Sequence, residues 1–184
     1  MTKTVLHTAR LELVPISLEI VEAVMTEDRA TVERVAGAIV PPAWPGRALV
    51  ERAFSASLER IRENPEVRLW GDRLMMMREG DARRIVGSVI FHGRPDETGI
   101  CEVGYGVEET WQKLGLATEA TKACVDWALA QPGVKACVAT TPPWHRASIR
   151  VLEKAGFANT RTEEHEMLGE VLVFECWGAR YSHI

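Results

Sequence analysis

The stretch Gln112-Lys113-Leu114-Gly115-Leu116-Ala117-Thr118 lies between an apolar, strand-like run and a long amphipathic pattern that predicts a helix. N–H groups in the first turn of a helix have no partners within that helix, and they lie at the positive end of its dipole. Gly115 and Ala117 are small enough to allow a ligand close to the backbone. The stretch therefore predicts a binding site for a pyrophosphate group.

Two common nucleotide-binding loops do not fit this stretch. The P-loop of nucleoside triphosphatases ends in Gly-Lys-Ser/Thr, and this string is absent from the 184 residues. A dinucleotide-binding fingerprint would start at Gly104-Tyr105-Gly106, but Glu109 occupies the position of its third glycine. Both classes of nucleotide site are therefore excluded as explanations of the stretch.

The stretch instead resembles the coenzyme A loop of the GNAT acyltransferase superfamily, written Gln/Arg-x-x-Gly-x-Gly/Ala. Further segments resemble the same superfamily in the same order along the chain: Thr8–Pro15, Cys101–Val107 and Ala147–Phe157. The first two, with the helix opening Ala117–Ala120, are similar to its Rim-type (RimJ/RimL-like) branch. That branch acetylates the N-terminal amines of ribosomal proteins and includes relatives with other substrates. On these segments the chain is identified as a member of the GNAT superfamily.

The resemblance implies a single GNAT domain over residues 1–184 with an α/β fold, in which a central mixed sheet with splayed parallel strands is flanked by helices. The hydrophobic pattern predicts a compatible order of elements. Helices are expected over 17–38, 47–63 and 146–154 and from Leu116 to the break at Gln131-Pro132-Gly133. Strands are expected over 11–14, 69–78, 84–92, 99–107 and 134–140, followed by two final strands.

Composition favours an ordinary globular protein. No apolar run approaches the ~20 residues that a membrane helix requires, and the N-terminus lacks the apolar segment of a signal peptide. We therefore expect a cytoplasmic protein without membrane contact. The net charge of −4 argues against a nucleic-acid partner. The cysteines lack zinc-ligand spacing and are expected to be buried free thiols: Cys101, Cys124, Cys137 and Cys176.

The resemblance implies that acetyl-CoA lies where the two parallel strands separate. Backbone groups of Tyr105, Gly106 and Val107 would pair with the pantetheine arm. The pyrophosphate would meet the N–H groups of the loop residues Gln112, Lys113, Leu114, Gly115, Leu116, Ala117 and Thr118. The glycines at 104 and 106 fit either a close approach by a ligand or a packing accommodation within the sheet. No metal is implied.

Glu102 is our candidate for the catalytic base. It alternates with Cys101 and Val103 on a predicted strand, so its side chain faces away from theirs. In the resembling family, carboxylates on this strand often face the acceptor amine. Deprotonating a lysine side chain at neutral pH costs about 4.6 kcal/mol, whereas an N-terminal α-amine costs only about 1 kcal/mol. A weak base or a relayed water would therefore serve an N-terminal amine. A purely structural ion pair is the alternative role for Glu102.

The entry to the last helix departs from the Rim-type pattern. The branch usually has Asn-x-x-Ser, whereas this chain reads His145-Arg146-Ala147-Ser148. Three roles stay open for His145: contacting the cofactor arm, taking part in catalysis, or only beginning the helix. By resemblance, Ser148 assists the departing thiolate. Leu152 stands where many GNAT enzymes carry a tyrosine that acts as general acid, which excludes that mechanism at this position.

The acceptor site is expected beside the loop between the first helices. Trp44, framed by prolines, and Trp111, just before the coenzyme A loop, are predicted to line it, with inward packing as the alternative. The acceptor stays open between a protein N-terminus and a small amine. The final strands, Val171–Trp177, are expected to offer an edge that pairs or exchanges between the subunits of a homodimer.

Together these features predict an acetyl-CoA-dependent N-acetyltransferase that acts on a primary amine by direct attack in a ternary complex. The alternative is a non-catalytic coenzyme A-binding sensor or interaction domain. The histidine in place of the usual asparagine and the missing tyrosine keep this alternative open.

Overall fold

The computed structural model describes residues 4–43 and 58–179, which form a mixed eight-stranded sheet with helices packed on both faces. The strands are β1 (Leu6–His7), β2 (Leu11–Pro15), β3 (Arg73–Glu79), β4 (Ala82–Phe91), β5 (Ile100–Val107), β6 (Ala136–Thr141), β7 (Ala158–His165) and β8 (Gly169–Trp177). The helices are α1 (Leu18–Met25), α2 (Arg29–Ala36), α3 (Leu58–Glu63), α4 (Pro65–Arg68), α5 (Leu116–Leu129) and α6 (Arg146–Lys154). None of these helices is long and apolar enough to cross a membrane.

The predicted continuous helix over 17–38 is wrong, because the chain forms α1 and α2 there instead. The hydroxyl of Ser17 accepts the N–H of Ile20 at 3.3 Å and caps α1, as its sequence position suggests. Glu27 then adopts a left-handed backbone with φ 58°, which interrupts the helix. The carboxylate of Asp28 accepts the N–H of Thr31 at 3.0 Å and starts α2. Most of the predicted helix over 47–63 lies outside the described residues.

The two helical layers divide the core into two clusters. α1 and α2 pack on the first strands of the sheet through Ile20, Val21, Val24, Val32 and Ala36. α5 and α6 cover the opposite face, and the predicted apolar stripe of α5 is confirmed. Within that stripe Leu116, Ala120, Cys124 and Ala128 are buried. α5 is therefore held firmly against the sheet directly after the coenzyme A-like loop.

The centre of the sheet contains the feature that creates a cleft. The neighbouring strands are antiparallel except for β5 and β6, which are parallel. These two strands pair only where Ile100–Glu102 meets Ala136–Val138. Beyond that point β5 continues to Val107 without β6 as a partner, as the predicted splayed pair requires.

The predicted free edge at Val171–Trp177 is wrong. Strand order places β8 between β6 and β7, so both edges of β8 are paired. The final edge of the sheet is β7, every residue of which is exposed. The chain order of the two strands therefore differs from their order in the sheet.

The four cysteines are free, as predicted. Cys101, Cys124 and Cys137 are buried and Cys176 is half-buried. Within residues 4–43 and 58–179, no group of three or more His, Cys, Asp or Glu side chains is arranged to hold a metal ion.

Candidate active site

The loop between β5 and α5 is shaped by two left-handed residues. After a 3₁₀ turn at Glu109–Trp111, Lys113 has φ 63° and Gly115 has φ 80°. The side-chain amide of Gln112 donates to the carbonyl of Val107 at 3.1 Å and ties the loop back to the end of β5. Gly115 occupies the N-cap of α5 and provides no side chain to cap it.

The consequence is a run of backbone donors without protein acceptors. In the described part of the chain, the N–H groups of residues 113–118 donate no hydrogen bond, whereas Glu119 donates to the carbonyl of Gly115 at 3.1 Å. The residues from Gln112 to Gly115 are exposed. These donors stand at the positive end of α5 and can together bind an anion such as a pyrophosphate.

An ion pair that the sequence-based interpretation missed holds this loop in place. The guanidinium of Arg10 contacts the carboxylate of Glu119 through Nε at 2.8 Å and Nη2 at 2.7 Å. Nη1 of Arg10 also donates to the carbonyl of Leu114 at 2.8 Å, while the hydroxyl of Thr8 donates to Glu119 at 2.6 Å. Burial disfavours the charge on Glu119, but the bonds from Thr8 and Arg10 outweigh it and lower the pKa of this carboxyl. One carbonyl of the loop is thereby fixed.

One side of the cleft between β5 and β6 is formed by an edge of β5 that is open to a ligand. On the β4 side, residues 103–107 are paired, but their other edge has no partner among the described strands. An added Cβ at Gly104 or Gly106 would meet no described atom within 4 Å. Packing within the described protein therefore does not require these two glycines. The free edge and the open space would accept an extended chain-like ligand beside Tyr105, Gly106 and Val107.

Glu102 lies at the closed end of the cleft. Its side chain is exposed and lies opposite the buried Cys101 and Val103, as the alternation predicts. Across the described ranges, its carboxylate makes no hydrogen bond or ion pair, so the alternative role as a structural ion pair has no partner there. Its backbone carbonyl accepts the N–H of His92 at 3.1 Å, which holds this part of β5.

Tyr105, on β5, forms hydrogen bonds with Ser148, on α6. The hydroxyl of Tyr105 lies 3.0 Å from Oγ of Ser148 and donates to the carbonyl of Ser148 at 3.1 Å. Burial raises the pKa of Tyr105 to about 12, with the bond to Ser148 opposing the shift. One turn further along α6, Leu152 is buried in the core. α6 thus presents a hydroxyl at its first turn and an aliphatic side chain at its second.

His145 begins α6 without capping it through its side chain. Its Nδ1 lies 3.5 Å from the hydroxyl of Thr141, and its ring centre lies 5.7 Å from that of the exposed Trp144. The imidazole is exposed. No contact joins His145 or Ser148 to Glu102 among the described side chains, so the structure does not bring these three predicted residues into one hydrogen-bonded group.

Similarity to known proteins identifies the family. Residues 10–158 match the family described as acetyltransferase (GNAT) domain. The chain belongs to the GNAT acetyltransferase family. It is also 26% identical over 162 residues to the uncharacterized N-acetyltransferase YjdG of Bacillus subtilis (strain 168), across 88% of this chain and 94% of that protein. Its enzyme class is accordingly that of the N-acetyltransferases.

Solved structures share the GNAT fold of this chain. Mycobacterium smegmatis RimJ in complex with CoA-disulfide superposes with a TM-score of 0.64 at 17% identity, covering 98% of this chain and 90% of that one. The ribosomal L7/L12 alpha-N-protein acetyltransferase RimL, in complex with coenzyme A, gives a TM-score of 0.63 at 14% identity, with coverages of 94% and 97%. At these identities the comparison shows a common fold and leaves the Rim branch as a proposal.

In this GNAT chain, Trp111 lines a surface cavity of about 340 Å³. The cavity is bounded by Pro41, Pro42, Glu79, Arg84, Thr110, Trp111 and Leu114. It lies at the loop end of β5, whereas Glu102 lies five residues before the last residue of that strand, roughly 17 Å away along it. The structure therefore does not bring Trp111 beside Glu102. Trp44, the other predicted wall of the acceptor site, lies outside the described residues.

Proposed function

We propose that this protein is an acetyl-CoA-dependent N-acetyltransferase that transfers an acetyl group to a primary amine by direct attack in a ternary complex. The observation that carries the proposal is the run of N–H groups at 113–118 that have no acceptor within residues 4–43 and 58–179, beside the point where two parallel strands have separated. An anion at the loop and an extended arm in the cleft would use both features at once. Both parts of coenzyme A have this chemistry.

The proposed cofactor position follows from the polarity of the cleft. The pyrophosphate binds the N–H groups of the loop from Lys113 to Thr118, whereas the N–H of Gln112 already donates to the carbonyl of Glu109 at 3.2 Å. The pantetheine arm pairs with the edge of Tyr105, Gly106 and Val107 that faces away from β4. The thioester then lies near the closed end of the cleft. Glu102 is exposed at this end, which supports its assignment as the base for the acceptor amine.

In the proposed reaction, Glu102 accepts the proton of the amine, directly or through a water molecule. The amine nitrogen attacks the thioester carbon, a new N–C bond forms, and the C–S bond breaks with its electron pair on sulfur. Ser148 donates a hydrogen bond to that sulfur. His145, at the entry to α6, contacts the cofactor arm or assists the same step. No residue forms an acyl-enzyme, and no metal takes part.

The acceptor is proposed to be either a protein N-terminus, as in the Rim-type branch, or a small amine. The shared fold with RimJ and RimL is the only support for a protein N-terminus, since these proteins are just 17% and 14% identical to this chain. Trp111 and Trp44 are proposed to contact a part of the acceptor that extends beyond the reacting amine. A cytoplasmic location remains a prediction from the sequence. A homodimer also remains only a prediction, and the strand edge that suggested it is paired within the chain.

A coenzyme A-binding sensor is the second candidate. The observation that favours it is the buried Leu152 at the position of the usual tyrosine acid. A thiolate with an ordinary thiol pKa of ~8.5 leaves without strong acid assistance, so we favour the enzyme.

The experiment that tests the proposal combines calorimetry of acetyl-CoA binding with a thiol-release assay over a panel of peptides and small amines. We expect binding together with thiol release that depends on the acceptor. Binding without release on any acceptor would favour the sensor. A failure to bind acetyl-CoA would overturn both candidates.

A further inference from the structure

The two hydrogen bonds between Tyr105 and Ser148 determine which of the two hydroxyl groups donates its proton to the other. A tyrosine hydroxyl carries one proton, and a backbone carbonyl can only accept. Tyr105 donates to the carbonyl of Ser148 at 3.1 Å and also lies 3.0 Å from Oγ of Ser148. Both bonds exist together only when Ser148 donates its own proton to Tyr105. In this arrangement the hydroxyl proton of Ser148 points to the phenol.

A second arrangement frees the proton of Ser148. If Tyr105 turns its proton to Oγ of Ser148, that serine no longer needs to donate to the phenol. The carbonyl of Ser148 then loses its hydrogen bond from Tyr105. This loss is small, because a carbonyl inside an α-helix also accepts the N–H four residues later, here that of Leu152. The hydroxyl of Ser148 then donates to a group in the cleft while Tyr105 supports it from behind.

We propose that Tyr105 is a positioning residue, which turns the hydroxyl of Ser148 towards the departing sulfur of coenzyme A. This inference rests on the proposed function. As the N–C bond forms and the C–S bond breaks, the electron pair reaches sulfur and Tyr105 moves its proton from the carbonyl to Oγ of Ser148. Ser148 donates a hydrogen bond to the thiolate, and the proton of the amine goes to Glu102.

A comparison of pKa values shows why Ser148, supported by Tyr105, donates a hydrogen bond to the departing thiolate while neither residue transfers a proton to it. The thiol of coenzyme A has a pKa near ~8.5, whereas burial raises the pKa of Tyr105 to about 12. Proton transfer from the phenol to the thiolate is thus unfavourable by a factor on the order of 10³. Tyr105 and Ser148 keep their protons throughout the step, and the thiolate takes its proton from solvent after release.

The variants Tyr105→Phe, Ser148→Ala and their combination test this role through kcat for thiol release and through acetyl-CoA affinity. We expect Tyr105→Phe to lower kcat about tenfold while the dissociation constant of acetyl-CoA changes by less than about twofold. Because Tyr105 acts through Ser148, the double variant should be no slower than Ser148→Ala alone. Unchanged kcat in Tyr105→Phe, or losses that multiply in the double variant, would overturn the proposal.

A matched control removes another buried hydroxyl. Thr121, on α5, has a buried Oγ1 that finds no hydrogen-bond partner among the described residues, so Thr121→Val should retain the activity of the unmodified enzyme. If Tyr105→Phe loses its structure or its affinity for acetyl-CoA, Tyr105 is only structural and the proposal is wrong. If the unmodified protein releases no thiol with any acceptor, the proposed function itself fails, which is a separate result.

Discussion

Arg10, directly before β2, contacts Glu119 in the first turn of α5, with Nε and Nη2 of the guanidinium at 2.8 and 2.7 Å from one carboxylate oxygen. The same guanidinium holds the carbonyl of Leu114 at 2.8 Å. The backbone donors that follow Leu114 are therefore fixed from behind by a residue that itself lies outside the loop. This contact would hold the proposed anion-binding loop in one geometry before a ligand binds.

The first prediction concerns Arg10. Arg10→Ala removes the link between Leu114 and Glu119, so the donors of the loop lose their fixed orientation. We expect the dissociation constant of acetyl-CoA to rise about tenfold, with kcat at saturating cofactor nearly unchanged. Arg10→Lys should recover little of the lost affinity for acetyl-CoA, because a lysine cannot form the same fork of hydrogen bonds. Calorimetry and steady-state kinetics measure the two quantities.

The control for Arg10 is Arg34→Ala. Arg34, on α2, contacts Glu19, on α1, at 2.7 Å in an exposed ion pair. Neither residue belongs to the coenzyme A-like loop or to its contacts with Arg10. Exposed pairs contribute about 0–1 kcal/mol to stability, so this variant should leave affinity unchanged. Equal loss of affinity in both variants would mean that the loop does not depend on Arg10.

The contact between Arg10 and Glu119 also shows what could be predicted from sequence. Both residues lie in segments that resemble the family, yet no local rule states that they meet, because they are 109 positions apart. The loop, α5 and β5 were predictable, since each depends on local periodicity and small residues. The order of β7 and β8 and the break at Glu27 were not. The first depends on pairing across the sheet, and the second on a single left-handed residue.

The second prediction concerns the open space beside Gly106. An added Cβ there meets no described atom within 4 Å, so Gly106→Ala should change the free energy of unfolding by less than about 1 kcal/mol. If the cofactor arm or the acceptor occupies this space, kcat/KM should fall at least about tenfold. Urea unfolding and thiol-release kinetics give the two values.

Gly87→Ala provides the contrast to Gly106→Ala. Its Cβ would lie 2.2 Å from the carbonyl oxygen of Gly106, which requires the two strands to move apart. We expect clear destabilisation in this variant, by about 1–3 kcal/mol. A stable and fully active Gly106→Ala protein would contradict a ligand beside that residue.

The third prediction concerns Glu102. Glu102→Gln keeps the size of the side chain and removes the base, so kcat should fall about 10²-fold while acetyl-CoA affinity is preserved. The loss should be larger for a lysine-like amine than for an α-amine, because the former holds its proton more tightly. Glu164→Gln, on the exposed edge strand, is the matched control and should be fully active. Equal rates in the two variants would remove Glu102 from the mechanism.

The fourth prediction concerns alkaline stability and the buried thiol of Cys124. Burial raises the pKa of Cys124 from 9.0 to about 12, although the nearby guanidinium of Arg73 opposes the shift. Below pH 9 the thiol is protonated in both the folded and the unfolded chain, and its contribution is fully present. Between pH 9 and 12 it ionises only in the unfolded chain. The folded state then loses about 1.4 kcal/mol per pH unit from this group.

Cys124→Ala isolates that contribution, since all other titrating groups are common to both proteins. At pH 7 the variant should be less stable by about 1 kcal/mol, because a small buried volume is emptied. By pH 10.5 the variant no longer loses stability through this thiol, so the difference should shrink by about 2 kcal/mol and reverse in sign. Urea unfolding at pH 7, 9 and 10.5 measures the change. A difference that stays constant with pH would mean that Cys124 ionises as easily in the folded protein as in the unfolded chain, and that water reaches the thiol beneath α5.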